Sequence, residues 1–241
     1  MIVADTRGNL DDTDVQLVLL LLAHGSAAAR ARWVDRLRRE GPAPLLDAPE
    51  LAGRLLAVRT LLVPSEALFL YVMVRHALRV EGVDDADLAD YLAALLLAFG
   101  QRDRAWRVDW NDDQRHRYLV DILADLESTE GDRRFKVMAH LGNYALWLAG
   151  VFPDYIAARR VRRGGPGLDY YDTLGRRGYA LAADHALANR LGLESVFRTA
   201  AERFGVIRTA LTTLSDRVFF PTVMTADRLE RARHRGDGLL A

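Results

Sequence analysis

Six histidines and no cysteine limit the metal and nucleophile chemistry of this chain of 241 residues. Without cysteine there is no disulfide, no thiolate nucleophile and no zinc site with cysteine ligands. A carboxylate-bridged metal site in a helical bundle needs Glu-x-x-His on two helices, but the nearest spacing is a single Asp113-x-x-His116. His-Glu-x-x-His, Gly-x-Ser-x-Gly and a Walker-type phosphate loop are absent from the sequence. We therefore expect neither a metal site nor a cofactor.

His140 is the histidine that the hydrophobic pattern buries. It lies in a run of apolar and small residues from 138 to 150, where a neutral imidazole needs a hydrogen-bond partner for its N–H. Asn143 and Tyr144 follow three and four positions later, so the three side chains share one helix face. Two hypotheses fit this spacing: a polar group that lines a ligand pocket, or a core network that fixes the register of the helix.

Three tyrosines form a second cluster in residues 168–185. Tyr170, Tyr171 and Tyr179 lie in the same stretch as Gly175 and Gly178. They could surround a ligand with their hydroxyl groups, or they could pack over the central helix with the hydroxyls in water. A pocket shared with the His140 group is the predicted place for a small molecule.

A run of arginines separates the two clusters. Arg159, Arg160, Arg162 and Arg163 lie at a predicted helix end, where cations complement the negative end of the helix dipole. Residues 81–90 carry five acidic side chains and no basic one. The formal net charge of zero therefore conceals two opposite patches. They are either a docking surface for an acidic partner or a second copy of the chain, or two solvated helix ends.

Helices are the elements that must position these residues. Apolar residues recur at helical spacing almost throughout, and no segment shows the strict alternation of a strand. The predicted helices include 50–63, 110–128, 169–192 and 193–220, and Ser26 and Ser65 are predicted helix caps. We predict one all-α domain over residues 1–241, with about nine or ten helices around a central buried helix near 133–150. A loosely attached N-terminal helical pair over 1–45 is the alternative division, and the tail 228–241 is predicted to fray.

Small residues mark the central helix. Gly142, Ala145, Ala149 and Gly150 recur at helical spacing, although each glycine costs about 1 kcal/mol of helix propensity relative to alanine. The simplest compensation is the close approach of a neighbouring helix. We therefore expect another backbone to pack directly against this stretch.

The N-terminal segment does not read as a membrane or export signal. It is acidic, and the apolar core of the first helix is nine residues long, whereas a bilayer span needs about 20. Together with the absence of cysteine, this predicts a cytoplasmic protein without a membrane partner.

One block of the chain resembles a pattern in uncharacterised bacterial all-helical proteins. The first part of the pattern matches Leu141, Gly142, Leu146, Gly150, Phe152 and Pro153, and the second part matches Tyr170, Tyr171, Gly175 and Tyr179. The match covers about 40 residues. Many proteins of that family carry an acidic residue where this chain has Asn143, and the resemblance implies no activity.

These patterns favour a binding or regulatory module that docks an acidic partner or forms a homodimer. The alternative is an enzyme with a small-molecule pocket around His140 and Tyr171, in which His140 is the acid–base group and an arginine holds the substrate anion. A third hypothesis is weak nucleic-acid binding through an arginine loop at 159–163, which the zero net charge disfavours. Whether the protein is an enzyme stays open at this point.

Overall fold

The computed structural model describes residues 1–58, 63–223 and 225–234, and every regular element there is a helix. The prediction of an all-α fold is confirmed. The chain divides into two compact units, an N-terminal unit, Ile2–Ala105, and a C-terminal unit, Trp106–Ala241. The described residues hold fourteen α-helices. Three of them are six residues or shorter, so the number of longer helices roughly agrees with the nine or ten predicted. The single domain over 1–241 stays a prediction.

The N-terminal unit consists of six helices: α1 Asp12–Ala23, α2 Ala27–Glu40, α3 Ala43–Leu46, α4 Leu51–Leu56, α5 Glu66–Val80 and α6 Ala86–Gly100. Its four long helices begin at side-chain caps. Asp11, Ser26, Ser65 and Asp85 each accept a hydrogen bond from the backbone N–H three residues later, which satisfies a group that the helix itself leaves open. The helix predicted over 50–63 ends at Leu56 as α4, and residues 59–62 lie outside the described residues.

The C-terminal unit follows a 3₁₀ turn, Arg104–Trp106. Its helices are α7 Leu119–Ser128, α8 Gly131–Val151, α9 Pro153–Arg163, α10 Leu168–Ala183, α11 Ala186–Arg190, α12 Glu194–Glu202, α13 Phe204–Leu214 and α14 Ala226–His234. A single π-helical turn, Ser215–Phe219, extends α13.

Helix α8 is the central helix of its unit, as predicted. Fourteen of its residues are buried, and its glycines admit the neighbours. A Cβ atom on Gly178 of α10 would lie 2.6 Å from the backbone nitrogen of Gly142, and one on Gly150 would lie 2.9 Å from Cβ of Leu211. The backbones of α8 and α10 therefore touch, which confirms the close approach expected from the small residues.

Three predicted helices have different bounds. The helix expected over 110–128 begins only at Leu119, because the backbone N–H of His116 donates to the carbonyl of Trp106 and holds the preceding segment in an irregular turn. The helix expected over 169–192 stops at Ala183, and the His185 side chain caps α11. The helix expected over 193–220 breaks at Arg203, between α12 and α13.

Helix α14 is joined to the rest of its unit by charge pairs. Arg228 and Arg231 both contact the carboxylates of Asp154 and Asp216 at 2.8 to 3.1 Å. Residues 228–234 are therefore helical, while residues 235–241 of the predicted frayed tail lie outside the described residues. In the described part of the chain, no helix combines the length and hydropathy needed to cross a bilayer.

Candidate functional site

A cleft of about 740 Å³ opens on the C-terminal unit. Eight aromatic side chains and two arginines line it, and no lining residue is Asp or Glu. We call it the aromatic cleft. Its lining residues are Trp106, Arg117, Tyr118, Leu119, Val120, Tyr144, Trp147, Leu148, Phe152, Tyr155, Arg159, Pro166, Tyr170 and Tyr171.

Helix starts build half of this lining. Tyr118 to Val120 lie where α7 begins, Phe152 and Tyr155 where α9 begins, and Tyr170 and Tyr171 in the first turn of α10. Each of these first turns also carries an acidic residue outside the lining, Asp121, Asp154 and Asp169 in that order, which offsets the positive end of the helix dipole.

The floor of the aromatic cleft is buried and its rim is exposed. Tyr144 and Tyr171 are buried, whereas Tyr118 and Tyr155 are about half exposed. The ring of Tyr144 stacks on Trp147 at a centroid distance of 6.0 Å, and Trp147 meets the edge of Phe152 at 4.9 Å. Helix α8 and the start of α9 thus present a continuous aromatic wall.

Both arginines of the cleft lie over aromatic rings. The Cζ atom of Arg159 is 5.0 Å from the ring centre of Tyr118, and that of Arg117 is 5.0 Å from Trp106. Arg159 is half-buried and Arg117 lies at the exposed rim. Among the described residues, neither guanidinium has a carboxylate within ion-pair distance. A guanidinium carries five N–H donors, and with Tyr171 as a hydrogen-bonding neighbour of Arg159 the others remain for a ligand.

The buried phenols of the cleft are neutral at physiological pH. Burial raises the pKa of Tyr144 far above its ordinary value, and the hydroxyl donates to the carbonyl of Arg117 at 2.9 Å. Burial also raises the pKa of Tyr171, and the nearby Arg159 guanidinium opposes this only in part. Neither phenol can serve as a general base near neutral pH.

The predicted ligand residues are divided between the cleft and the core. Tyr144, Tyr170 and Tyr171 line the cleft, but the other three lie elsewhere. The Tyr179 hydroxyl donates to Oδ1 of Asn143 at 2.8 Å, and both residues are buried. His140 is also buried, with its ring stacked on Tyr144 at 5.9 Å.

The four arginines predicted as a docking surface are also divided between two environments. Arg159 lines the aromatic cleft, whereas Arg160, Arg162 and Arg163 are exposed on the last turns of α9. The helix ends at Gly164, whose φ of 62° favours glycine. The stretch 159–163 is therefore helical and not a loop.

Trp106, Arg117 and Tyr118, which the segment 106–120 supplies to the cleft, were not among the ligand residues predicted from the sequence. The signal that could have found them is the local density of tryptophan and arginine in "WRVDWNDDQRHRY". The neighbouring His116 is fully buried, with Nε2 3.2 Å from a carboxylate oxygen of Asp125. This contact, and the backbone bond to Trp106, hold the segment in place.

Side chains that could ligate a metal do not converge in the described part of the chain. Within residues 1–58, 63–223 and 225–234, no group of three or more His, Asp or Glu side chains converges as metal ligands would. Asp113 and His116, the nearest spacing to a metal motif, differ in environment, because Asp113 is exposed and His116 is buried.

A second, smaller cavity of about 230 Å³ lies in the N-terminal unit. Arg75 lines it and is 5% exposed. Its Nε and Nη2 atoms donate to the two carboxylate oxygens of Asp47 at 2.9 and 3.0 Å, and it also contacts Asp84. This guanidinium is therefore neutralised within the chain.

No family model matches this chain, and no curated protein or solved structure shows significant similarity to it. The resemblance to bacterial helical proteins stays a prediction. Two of the glycines in its block have a packing role in this structure, because Gly142 admits the ring of Tyr179 and Gly175 admits the ring of Phe204.

Proposed function

We propose that this protein is a small-molecule binding module whose ligand is an organic anion held in the aromatic cleft. The observation that carries the proposal is the pair of arginines, Arg117 and Arg159, which line the cleft without a carboxylate partner among the described residues. Arginine suits anions because its fork of N–H groups matches the oxygens of a carboxylate or phosphate.

The charge of the lining favours an anion over a cation. Aromatic clefts can also bind cations over their ring faces, but here two guanidinium groups already lie over Trp106 and Tyr118. A cationic ligand would meet these two charges with no carboxylate in the lining to offset them. An anion would meet two complementary guanidinium groups.

The size of the cleft suits a small molecule. Ligand sites usually have volumes of about 300–1,000 Å³ and predominantly apolar walls, and the aromatic cleft has about 740 Å³. The buried floor at Tyr144 and Tyr171 would remove a ligand from water, which strengthens its interaction with Arg159.

Binding is better supported than catalysis. The titratable side chains of the lining are phenols and guanidiniums, and the raised pKa values of Tyr144 and Tyr171 make them poor bases. His140, the acid–base group of the enzyme hypothesis, lies outside the lining. Docking of an acidic partner on Arg160, Arg162 and Arg163 stays a prediction, since these side chains are exposed at the end of α9.

Anilinonaphthalene sulfonate, an aromatic anion whose fluorescence rises in apolar sites, tests the proposal. We expect saturable binding to the native protein and a loss of about tenfold in affinity in the Arg117→Gln/Arg159→Gln double variant, which corresponds to about 1.4 kcal/mol. Arg160→Gln is the matched control, because it removes the neighbouring exposed arginine of the same helix.

Equal affinity in the wild type and the double variant would reject the proposal. Near-ultraviolet circular dichroism of each variant must accompany the titration, because a loosely packed state binds the dye unspecifically. A variant that keeps native tertiary signal and loses binding supports the proposal.

A further inference from the structure

The polar side chains of the aromatic cleft provide many hydrogen-bond donors and few acceptors. Guanidinium and indole groups donate and do not accept, whereas a phenol can do both. The lining holds two arginines, two tryptophans and five tyrosines, but no Asn, Gln, Asp, Glu, Ser, Thr or His side chain. A ligand that fits this lining therefore carries more acceptors than donors.

One phenol already has a fixed role. The hydroxyl of Tyr144 donates to the carbonyl of Arg117 at 2.9 Å, so its proton is directed at the backbone. Arg159 and Tyr171 are hydrogen-bonding neighbours in the more buried part of the cleft. The N–H donors of Arg159 therefore lie where an unmatched ligand group costs most.

A nucleotide is a poor match for this inventory. The exocyclic amines of adenine and cytosine are donors, and ribose hydroxyls also donate, so protein sites for nucleotides provide acceptors for them. The lining has no carboxylate and no amide. A buried donor without an acceptor loses the interactions it had with water, which selects against such ligands.

The aromatic wall of the cleft indicates the shape of the ligand. Tyr144, Trp147 and Phe152 form a run of adjacent rings along the floor. Flat rings pack against such a wall in offset or edge-on arrangements. Leu148 and Val120 add aliphatic surface without any further polar group. A planar aromatic body therefore fits better than a sugar or a peptide.

We infer that the ligand of the aromatic cleft is an aromatic acid whose remaining polar atoms accept hydrogen bonds, as carbonyl or ether oxygens do. This inference rests on the proposed function. The acid group lies at the N–H edge of Arg159 near Tyr171, and the ring system lies along Trp147 and Phe152. Arg117, at the exposed rim, donates a hydrogen bond to a second acceptor group of the ligand.

A matched pair of probes tests the ligand class. Naphthoate carrying a methoxy group presents an acceptor, and naphthoate carrying an amino group at the same ring position presents a donor. Calorimetric titration of the full chain is expected to give the methoxy acid an affinity about fivefold higher, or about 1 kcal/mol. Naphthalenemethanol, the neutral control, and adenosine monophosphate are expected to bind more weakly than the methoxy acid.

The outcomes separate the two proposals. If the amino-substituted naphthoate or adenosine monophosphate binds as tightly as the methoxy acid, and the Arg117→Gln/Arg159→Gln variant weakens that binding, the ligand class is wrong and the proposed function stands. If naphthalenemethanol binds as tightly as the acids, both the ligand class and the proposed anion site are wrong. If no acid binds, or if the double variant binds every probe as the wild type does, the proposed function itself fails.

Discussion

Arg75 and Arg159 both line cavities, one in each unit of the chain, but their surroundings differ. Arg75 is buried and held by both oxygens of Asp47, with a further contact to Asp84. Arg159 lies over the ring of Tyr118, and no carboxylate among the described residues pairs with it. The first arginine has its anions inside the chain, whereas the second has N–H groups left for an anion from outside.

Helix starts differ between the same two regions. The long helices of the N-terminal unit are capped by Asp or Ser side chains, such as Ser65 at α5 and Asp85 at α6. Helices α9 and α10 begin at Pro153 and Leu168, and no side chain caps their first turns, although each first turn carries an acidic residue, Asp154 and Asp169. Capped starts stabilise the fold without a ligand, while uncapped starts leave backbone N–H groups without a side-chain partner.

The largest expected difference between Arg75 and Arg159 is in their contribution to the free energy of unfolding. Asp47→Ala removes the bidentate partner of buried Arg75 and leaves it with Asp84 alone among the described carboxylates, so we expect a loss of about 2–3 kcal/mol in the free energy of unfolding. Arg159→Gln should change it by less than about 1 kcal/mol, because no ion pair is broken. Urea unfolding of both variants measures the difference. Equal losses of stability in the two variants would contradict the different roles assigned to Arg75 and Arg159.

The six predicted ligand residues provide a second comparison, between core and cleft. Tyr179→Phe removes the donor that Asn143 has in the buried interior, so we expect a loss of about 1–2 kcal/mol in stability and unchanged binding of the dye. Tyr170→Phe alters a residue at the rim of the cleft. We expect unchanged stability and almost unchanged dye binding. Weaker dye binding in Tyr179→Phe, at unchanged stability, would move Tyr179 into the site.

The pH dependence of stability tests the ion pair between Asp47 and Arg75, with a smaller expected effect. The hydrogen bonds from Arg75 lower the pKa of Asp47 below its ordinary value, against the opposing effect of burial. A lowered pKa means that this pair contributes stability above the unfolded pKa, near 3.9, and loses it as the pH falls through the folded value. Unfolding of the wild type between about pH 5 and pH 2 should therefore depend on pH more steeply than unfolding of Asp47→Ala. Parallel curves would contradict the assignment.

The smallest expected effect concerns the shape of the cation. Arg159→Lys keeps the charge but replaces the planar fork with a single ammonium. Affinity for anilinonaphthalene sulfonate should fall about threefold, or about 0.6 kcal/mol, which is less than for Arg159→Gln. Full retention of affinity in Arg159→Lys would show that charge alone, and not the stacked guanidinium, matters.

The sequence predicted the parts of this fold that depend on local patterns. Helical periodicity and small residues were enough to identify α8 as the buried centre and to predict the backbone contact that Gly142 and Gly178 make. Ser26 and Ser65 cap their helices as predicted. These features depend on residues close together in the chain, where the physical rule needs no tertiary information.

The cleft depends on contacts between distant residues, and the sequence could not supply them. Arg159 and Arg160 are adjacent and chemically identical, yet successive residues point about 100° apart on a helix of about 3.6 residues per turn. Which of them faces the cleft follows from the burial of Pro153 and Ile156, which orients α9. The helical pattern also extended α7 across residues 110–118, where a long-range bond to the carbonyl of Trp106 sets the backbone.

A crystal structure of the protein with methoxy-substituted naphthoate is the decisive experiment for the aromatic cleft. We expect the ring system against Trp147 and Phe152 and the carboxylate oxygens about 2.8 Å from the N–H groups of Arg159, the usual length of a charge-assisted hydrogen bond. Naphthoate bound at Arg75, or in the aromatic cleft with its carboxylate turned away from both arginines, would refute the assignment.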